Sequence, residues 1–151
     1  MKRYHRQMDM PFITDVAGRL VVATLIGGGI GLDREIRHKP AGLKTHALVA
    51  LGAALVTVVA GTLSDSAAVS RVIQGIIAGV GFLGGGAILK GSDELVTGLT
   101  TAASIWLVAS LGIACGAGEW MVAVIALVIA LVVLVLGNAA ENFFRRTSDR
   151  R

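Results

Sequence analysis

Five runs of apolar residues, each long enough to cross a bilayer, leave this chain few ways to fold. They lie at about Ile13–Leu32, Ala47–Leu63, Val69–Leu89, Leu99–Cys115 and Trp120–Ala140. A hydrocarbon core roughly 30 Å thick needs about 17–25 mostly apolar residues per helix. Within the runs the apolar residues form blocks rather than a one-face stripe, which predicts helices in lipid instead of a water-soluble core. Composition agrees: 54% of the 151 residues are apolar and 16% charged, against about 45–50% and about 25% in soluble domains. Low polarity excludes disorder, and the single cysteine, Cys115, excludes a disulfide scaffold. The expected fold class is an all-α integral membrane protein of five transmembrane helices. Residues 12–141 are expected to form the transmembrane domain, between basic tails at 1–11 and 142–151. The first tail does not read as a cleavable signal, because the helix after it is too long for a signal core.

Orientation follows from the distribution of Lys and Arg. With five crossings, one side holds Lys2, Arg3 and Arg6. The other holds Arg34, Arg37, Lys39, Lys44, Lys90, Arg145, Arg146, Arg150 and Arg151. Nine against three places the N-terminus outside and the C-terminus in the cytoplasm. The formal net charge of +4 lies mainly in tails and loops, so it points to anionic lipid headgroups at the cytoplasmic face and not to nucleic acid.

An offset of 56 residues, as between Gly28 and Gly84, aligns the first two runs with the next two. The best-matched string is G-L-x-T-x-A, at Gly42–Ala47 and again at Gly98–Ala103. Each copy follows a loop and opens a helix, which suggests a tandem repeat of helical hairpins in parallel orientation. The fifth run lies outside the repeat and suits a peripheral, lipid-facing position.

Helices in a bilayer associate by close packing, because lipid tails are as apolar as leucine. Small residues four apart occur at Gly27/Gly31, Gly75/Gly79, Gly81/Gly85 and Gly112/Gly116, and Gly84 adds to the third run. Two readings of that glycine-rich run stand side by side. It is a tightly crossed central helix, or a broken one whose freed backbone lines a cavity. On the first reading, Gly81→Leu or Gly85→Leu destabilises the bundle. An unused glycine seam would also serve to dimerise the chain.

Charges inside a bilayer are costly and usually face a partner or a cavity. Asp15 and Arg19 share one face of the first helix, and Arg71 takes the matching place in the second repeat. An intramembrane cluster of Asp15, Arg19, Arg71 and Gln74 is expected, either as an ion-pair clamp or as a functional site. Its excess positive charge opposes Mg²⁺, whose sites use carboxylates, so direct Mg²⁺ conduction is disfavoured. On the cytoplasmic side Asp33, Arg34, Glu35, Arg37, Lys39, Lys44, Thr45 and His46 form a candidate interaction loop. Gly98, Thr100 and Thr101 are its counterparts in the second repeat, and Thr45 and Thr101 are candidate helix caps. Asp93 and Glu94 could pair with the basic loop. His5, His38 and His46 lack ligand spacing, and no Walker-type loop occurs. No metal, no cofactor and no enzymatic activity are expected.

Three strings resemble the MgtC/SapB family of bacterial membrane proteins: GGGIGLDREIRHKPAGLKTHALVALGAAL, RVIQGIIAGVGFLGGGAILKG and GLTTAASIWLVASLGIACGAG. The likeness runs from about Arg19 to Gly118. Family motif positions fall on Arg19, Gly31, Arg34, Glu35, Ala41, Gly42, Thr45, His46, Arg71, Gly81, Phe82, Gly84, Gly98, Thr100 and Thr101. Asp33 stands where members often have Glu, and Lys44 where they often have Arg. Many members continue into a soluble cytoplasmic domain, whereas this sequence ends in a short basic tail. The resemblance implies a plasma-membrane protein linked to adaptation to low Mg²⁺ and, in pathogens, to survival inside host cells. It also implies a regulator in contact with another membrane complex, for which the F-type ATP synthase has been proposed, rather than an Mg²⁺ transporter. The alternative is a small ion or solute transporter with its site near Asp15, Arg19 and Arg71.

Overall fold

The computed structural model describes residues 10–63, 65–90 and 96–148. Lys2, Arg3, Arg6, Asp93, Glu94, Arg150 and Arg151, with the side chains of Lys90, Arg145 and Arg146, lie outside the described residues. Five helices follow in order: α1 (Met10–Ile36), α2 (Leu43–Gly61), α3 (Ser66–Ala87), α4 (Leu99–Gly116) and α5 (Trp120–Ser148). All five are long and apolar enough to cross a membrane. The break between α2 and α3, faint in the sequence, is fixed by Asp65, whose side chain accepts a hydrogen bond from the Ala67 N–H at 2.9 Å. That bond satisfies one of the amides a helix start leaves unpaired. A two-residue antiparallel ladder, Leu89–Lys90 with Val96–Thr97, joins α3 to α4.

The centre of the bundle is α2, held between α1 and α4. A Cβ on Gly27 of α1 would lie 2.6 Å from the His46 carbonyl oxygen and 2.7 Å from Ala50 Cβ. One on Gly31 would lie 2.7 Å from Leu43 Cα. From the other side, a Cβ on Gly112 of α4 would strike the Ala50 carbonyl oxygen, and one on Gly116 would lie 2.6 Å from that of Ala54. α2 meets Gly27, Gly112 and Gly116 with alanines, Ala50, Ala53 and Ala54, all buried. The backbones therefore meet directly, antiparallel for α1–α2 and parallel for α2–α4. Around this contact Ala23, Ile26 and Ile30 of α1, Val108, Leu111 and Cys115 of α4, and Ala123 and Ala130 of α5 form the main core.

The third helix is neither of the two things expected of it. It is continuous from Ser66 to Ala87, so it is not broken, and it is not central. Val80 and Gly84 are its buried residues. A Cβ on Gly75, Gly79, Gly81 or Gly85 would meet nothing within 4 Å, and one on Gly84 would make ordinary contact with Ala102 at 3.5 Å. The reason is that α1 and α4 already occupy the close-packing faces of α2, and the glycines of α3 are spread around its circumference. α5 is peripheral too, burying Ala123 and Ala130 while Ile125, Val128, Ile129 and Val132 stay exposed.

Gly98, the N-cap of α4, needs to be glycine. Its φ is +91°, a left-handed conformation that a side chain disfavours. A Cβ there would also collide with the Ala87 carbonyl oxygen at the end of α3.

Thermal unfolding in a single mild detergent distinguishes the two glycine classes. Gly27→Ala and Gly112→Ala are expected to cost about 1–3 kcal/mol by overpacking. Gly81→Ala and Gly85→Ala should be neutral or stabilising by up to about 1 kcal/mol, since alanine is the better helix former. Equal losses at all four positions would contradict the packing described.

Candidate functional site

The α1–α2 turn and the α3–α4 connection share one end of the bundle, the basic end. There the structure gathers four polar side chains from three helices. Arg34, in the last turn of α1, is 2% exposed, and its Nη2 donates to Thr101 Oγ1 of α4 at 2.9 Å. His46 of α2 is wholly buried. Its Nδ1 lies 3.0 Å from the Gly42 carbonyl oxygen and its Nε2 3.0 Å from Ser104 Oγ of α4. Ser104 Oγ is also 2.8 Å from the Thr101 carbonyl oxygen.

Elementary valence fixes part of the proton arrangement. The Gly42 carbonyl can only accept, so His46 Nδ1 carries the hydrogen of that bond. With a neutral imidazole, Nε2 is then an acceptor, and the Ser104 hydroxyl is drawn toward two acceptors with one proton. The set is a closed lattice of hydrogen bonds that pins α1 and α2 to α4. Arg34 sits at the carbonyl end of α1, where the helix dipole favours a cation. No carboxylate hydrogen-bonds to it among the described residues, and its Nε has no hydrogen-bond partner.

Much of the expected interaction loop is committed to local structure. Arg37 Nε pairs with Asp33 Oδ1 at 2.8 Å. Glu35 Oε2 accepts from the Leu43 N–H at 2.7 Å, so a carboxylate from α1 caps α2. Thr45 and Thr101 do not cap. The N-caps are Gly42 and Gly98, without side-chain bonds, while Thr45 is exposed and Thr101 receives Arg34. Arg34 and His46 are therefore interior groups and cannot form a docking face as expected. His38, Lys39, Lys44 and Thr45 stay exposed, and together with Glu35 and Gly42 they line a cleft of about 530 Å³. Thr100 is exposed beside an apolar cavity between α4 and α5.

At the opposite end the expected four-residue cluster divides. Arg19 Nε lies 2.9 Å from Asp15 Oδ2, close as a charge pair but too poorly aligned for a hydrogen bond. Arg19 Nη1 donates to the Gly116 carbonyl oxygen at the end of α4 at 3.0 Å. Arg71 instead pairs with Asp65 at 3.2 Å, with 67% of its side chain exposed. Asp65 offers a carboxylate at the start of Arg71's own helix, so α3 need not close on α1. Gln74 is exposed on α3. Among the described residues no three His, Cys, Asp or Glu side chains come together as a metal site would require.

Sequence reading missed Ser104, which is flanked by apolar residues in α4. Its signal was the spacing from Thr101: three residues put both hydroxyls on one helix face, the face α2 presents His46 to. Thr101→Val removes the acceptor from a buried cation and is expected to cost about 1–3 kcal/mol. Arg34→Met in the same chain should recover most of that loss, because replacing a buried charge by a packed apolar group is often neutral. Strictly additive losses in detergent melting would mean that the two residues do not interact.

The MgtC family profile matches residues 20–143. The chain is 42% identical over 124 residues to protein MgtC of Brucella abortus, covering 82% of this chain and 52% of that protein. It is 43% identical over 129 residues to protein SrpB of Synechococcus elongatus, covering 77% and 71%. With protein SapB of Bacillus subtilis it shares 41% over 130 residues, covering 78% and 54%. The chain thus spans about half the length of the MgtC and SapB proteins it matches. No solved structure matches it. Five membrane-length helices and a match over most of the sequence make this chain a member of the MgtC family.

Proposed function

We propose that this chain is a bacterial plasma-membrane regulator associated with adaptation to low Mg²⁺, acting by lateral contact with another membrane complex. The basic end faces the cytoplasm in this reading, in accord with the excess of Lys and Arg there. Family membership is the observation that carries it. The interior gives supporting grounds. Its charged and polar groups are engaged with one another: Arg34 with Thr101, His46 with Ser104 and Gly42, and Arg19 with Gly116. Such groups hold helices together rather than pass a cation from ligand to ligand.

The transporter alternative would begin at the Asp15–Arg19 cleft. Beneath it the backbone contact of Gly116 with Ala54 and Thr57 brings α2 and α4 together, which counts against a path continuing inward. The partner is a membrane complex able to meet exposed helix faces, the F-type ATP synthase being the family-level candidate. Exposed α3 and α5 carry those faces.

Two measurements test the reading. Crosslinking in cells starved of Mg²⁺, followed by mild-detergent purification, is expected to recover a second membrane polypeptide. Vesicles holding the purified chain should remain tight to Mg²⁺ under an imposed gradient. Recovery of this chain alone, together with Mg²⁺ flux lost in Arg19→Ala, would overturn the proposal in favour of transport.

A further inference from the structure

The seam between α2 and α3 is only partly filled: Ala53 and Val80 belong to one buried apolar cluster with α4, and beside them the two helices line open space. Its inner part is an apolar groove of about 420 Å³, lined among others by Gly52 and Val56 of α2 and Gly75, Gly79 and Leu83 of α3. A Cβ on Gly52, Gly75 or Gly79 would meet nothing within 4 Å, so close helix contact does not account for these glycines. What they provide is a floor without side chains.

The groove ends in a polar cleft. Thr57 follows Val56 on α2, and Ile73 lies two residues before Gly75 on α3. With Asp15, Arg19 and Thr62 they line a second cavity of about 400 Å³. Arg19 fixes the depth of that cavity. It bonds to Gly116 at the end of α4, four residues before Trp120 opens α5, a place where tryptophan marks the membrane interface. From Gly61 at the end of α2 to Leu48 at the groove's far end the helix rises about 20 Å. A single leaflet's share of a hydrocarbon core of roughly 30 Å is less than that.

Polar at the interface and apolar toward the bilayer centre is the order of groups in a phospholipid. The charges narrow the headgroup. The side chain of Arg19 is 33% exposed and that of Asp15 53%. Arg19 Nε is buried 2.9 Å from Asp15 Oδ2 and Nη1 is bonded to Gly116, so a headgroup meets the outer edge of the ion pair. A phosphate can accept from the guanidinium, while a primary ammonium can pair with the carboxylate. A purely anionic headgroup satisfies the first group and meets repulsion from the second.

We propose that the α2–α3 seam holds one aminophospholipid of the surrounding bilayer, its phosphate at Arg19, its ammonium at Asp15 and one acyl chain laid over Gly52, Gly75 and Gly79. The lipid completes the helix pair that α3's glycines leave open. This assignment is independent of any protein partner and of Mg²⁺.

Native mass spectrometry of the full chain in mild detergent tests it, with phosphatidylethanolamine and phosphatidylglycerol as probes at matched chain length. One phosphatidylethanolamine per chain is expected to be retained, at least tenfold more tightly than phosphatidylglycerol. Gly79→Leu, whose Cβ meets nothing within 4 Å, extends into the groove, and Gly52→Leu does so from the opposite wall. Each should keep the parental melting temperature and weaken retention tenfold or more. Arg19→Gln should weaken it about tenfold, the scale of one charge-assisted hydrogen bond. No retained lipid, equal retention by parent and both leucine variants, or equal binding of the two headgroups would overturn the proposal. So would a lipid-free dimer that Gly79→Leu dissociates, since a second copy would then occupy the seam.

Discussion

Direct backbone contact between α2 and its two neighbours is the constraint from which the rest of this structure follows. In lipid no water is expelled when helices meet, so association depends on how closely the chains can approach. Gly27 and Gly31 bring α1 against α2, and Gly112 and Gly116 bring α4 against its other side. With those two interfaces filled, α3 and α5 are left to the periphery, and each buries few residues. The bundle is a triplet in direct backbone contact, with α3 packed on α4 through Val80 and Gly84 and α5 on the outside.

The same closeness allows polar groups to be buried at the basic end. Arg34, His46, Thr101 and Ser104 come from three helices, and short hydrogen bonds between them require those helices to be near and in register. A polar group shielded from water without a partner costs several kcal/mol in hydrocarbon, on the order given for buried unsatisfied groups. The lattice therefore selects one register over others that would bury equal apolar surface. Specificity, more than added stability, is what such interior groups provide.

The number of spans and the family were legible in the sequence, because length and hydropathy report directly on the bilayer. So were the glycine pairs at Gly27/Gly31 and Gly112/Gly116, since spacing alone puts each pair on one face. Which glycines pack was not legible. Gly75/Gly79 and Gly81/Gly85 carry the same spacing yet face open space, because the outcome depends on whether another helix already occupies the neighbouring surface. Ala50, which meets both Gly27 and Gly112, and Ala54, which meets Gly116, give no signal in a run of similar alanines. Which polar side chains turn inward was not legible for a related reason. Arg34 and His46 stand beside a charged loop and look like part of it, but each takes the one inward position in the last turn of α1 or the first turn of α2. Arg71 matched Asp15 by repeat position and pairs with Asp65, since the nearest carboxylate along the chain needed no helix contact.

The most direct test of the central contact is solid-state NMR of the protein in bilayers, with ¹³C-labelled glycine and alanine. The structure predicts through-space cross-peaks of Ala50 with both Gly27 and Gly112, placing one residue of α2 against two different helices. Absence of either cross-peak, or cross-peaks linking Ala50 instead to the glycines of α3, would contradict it.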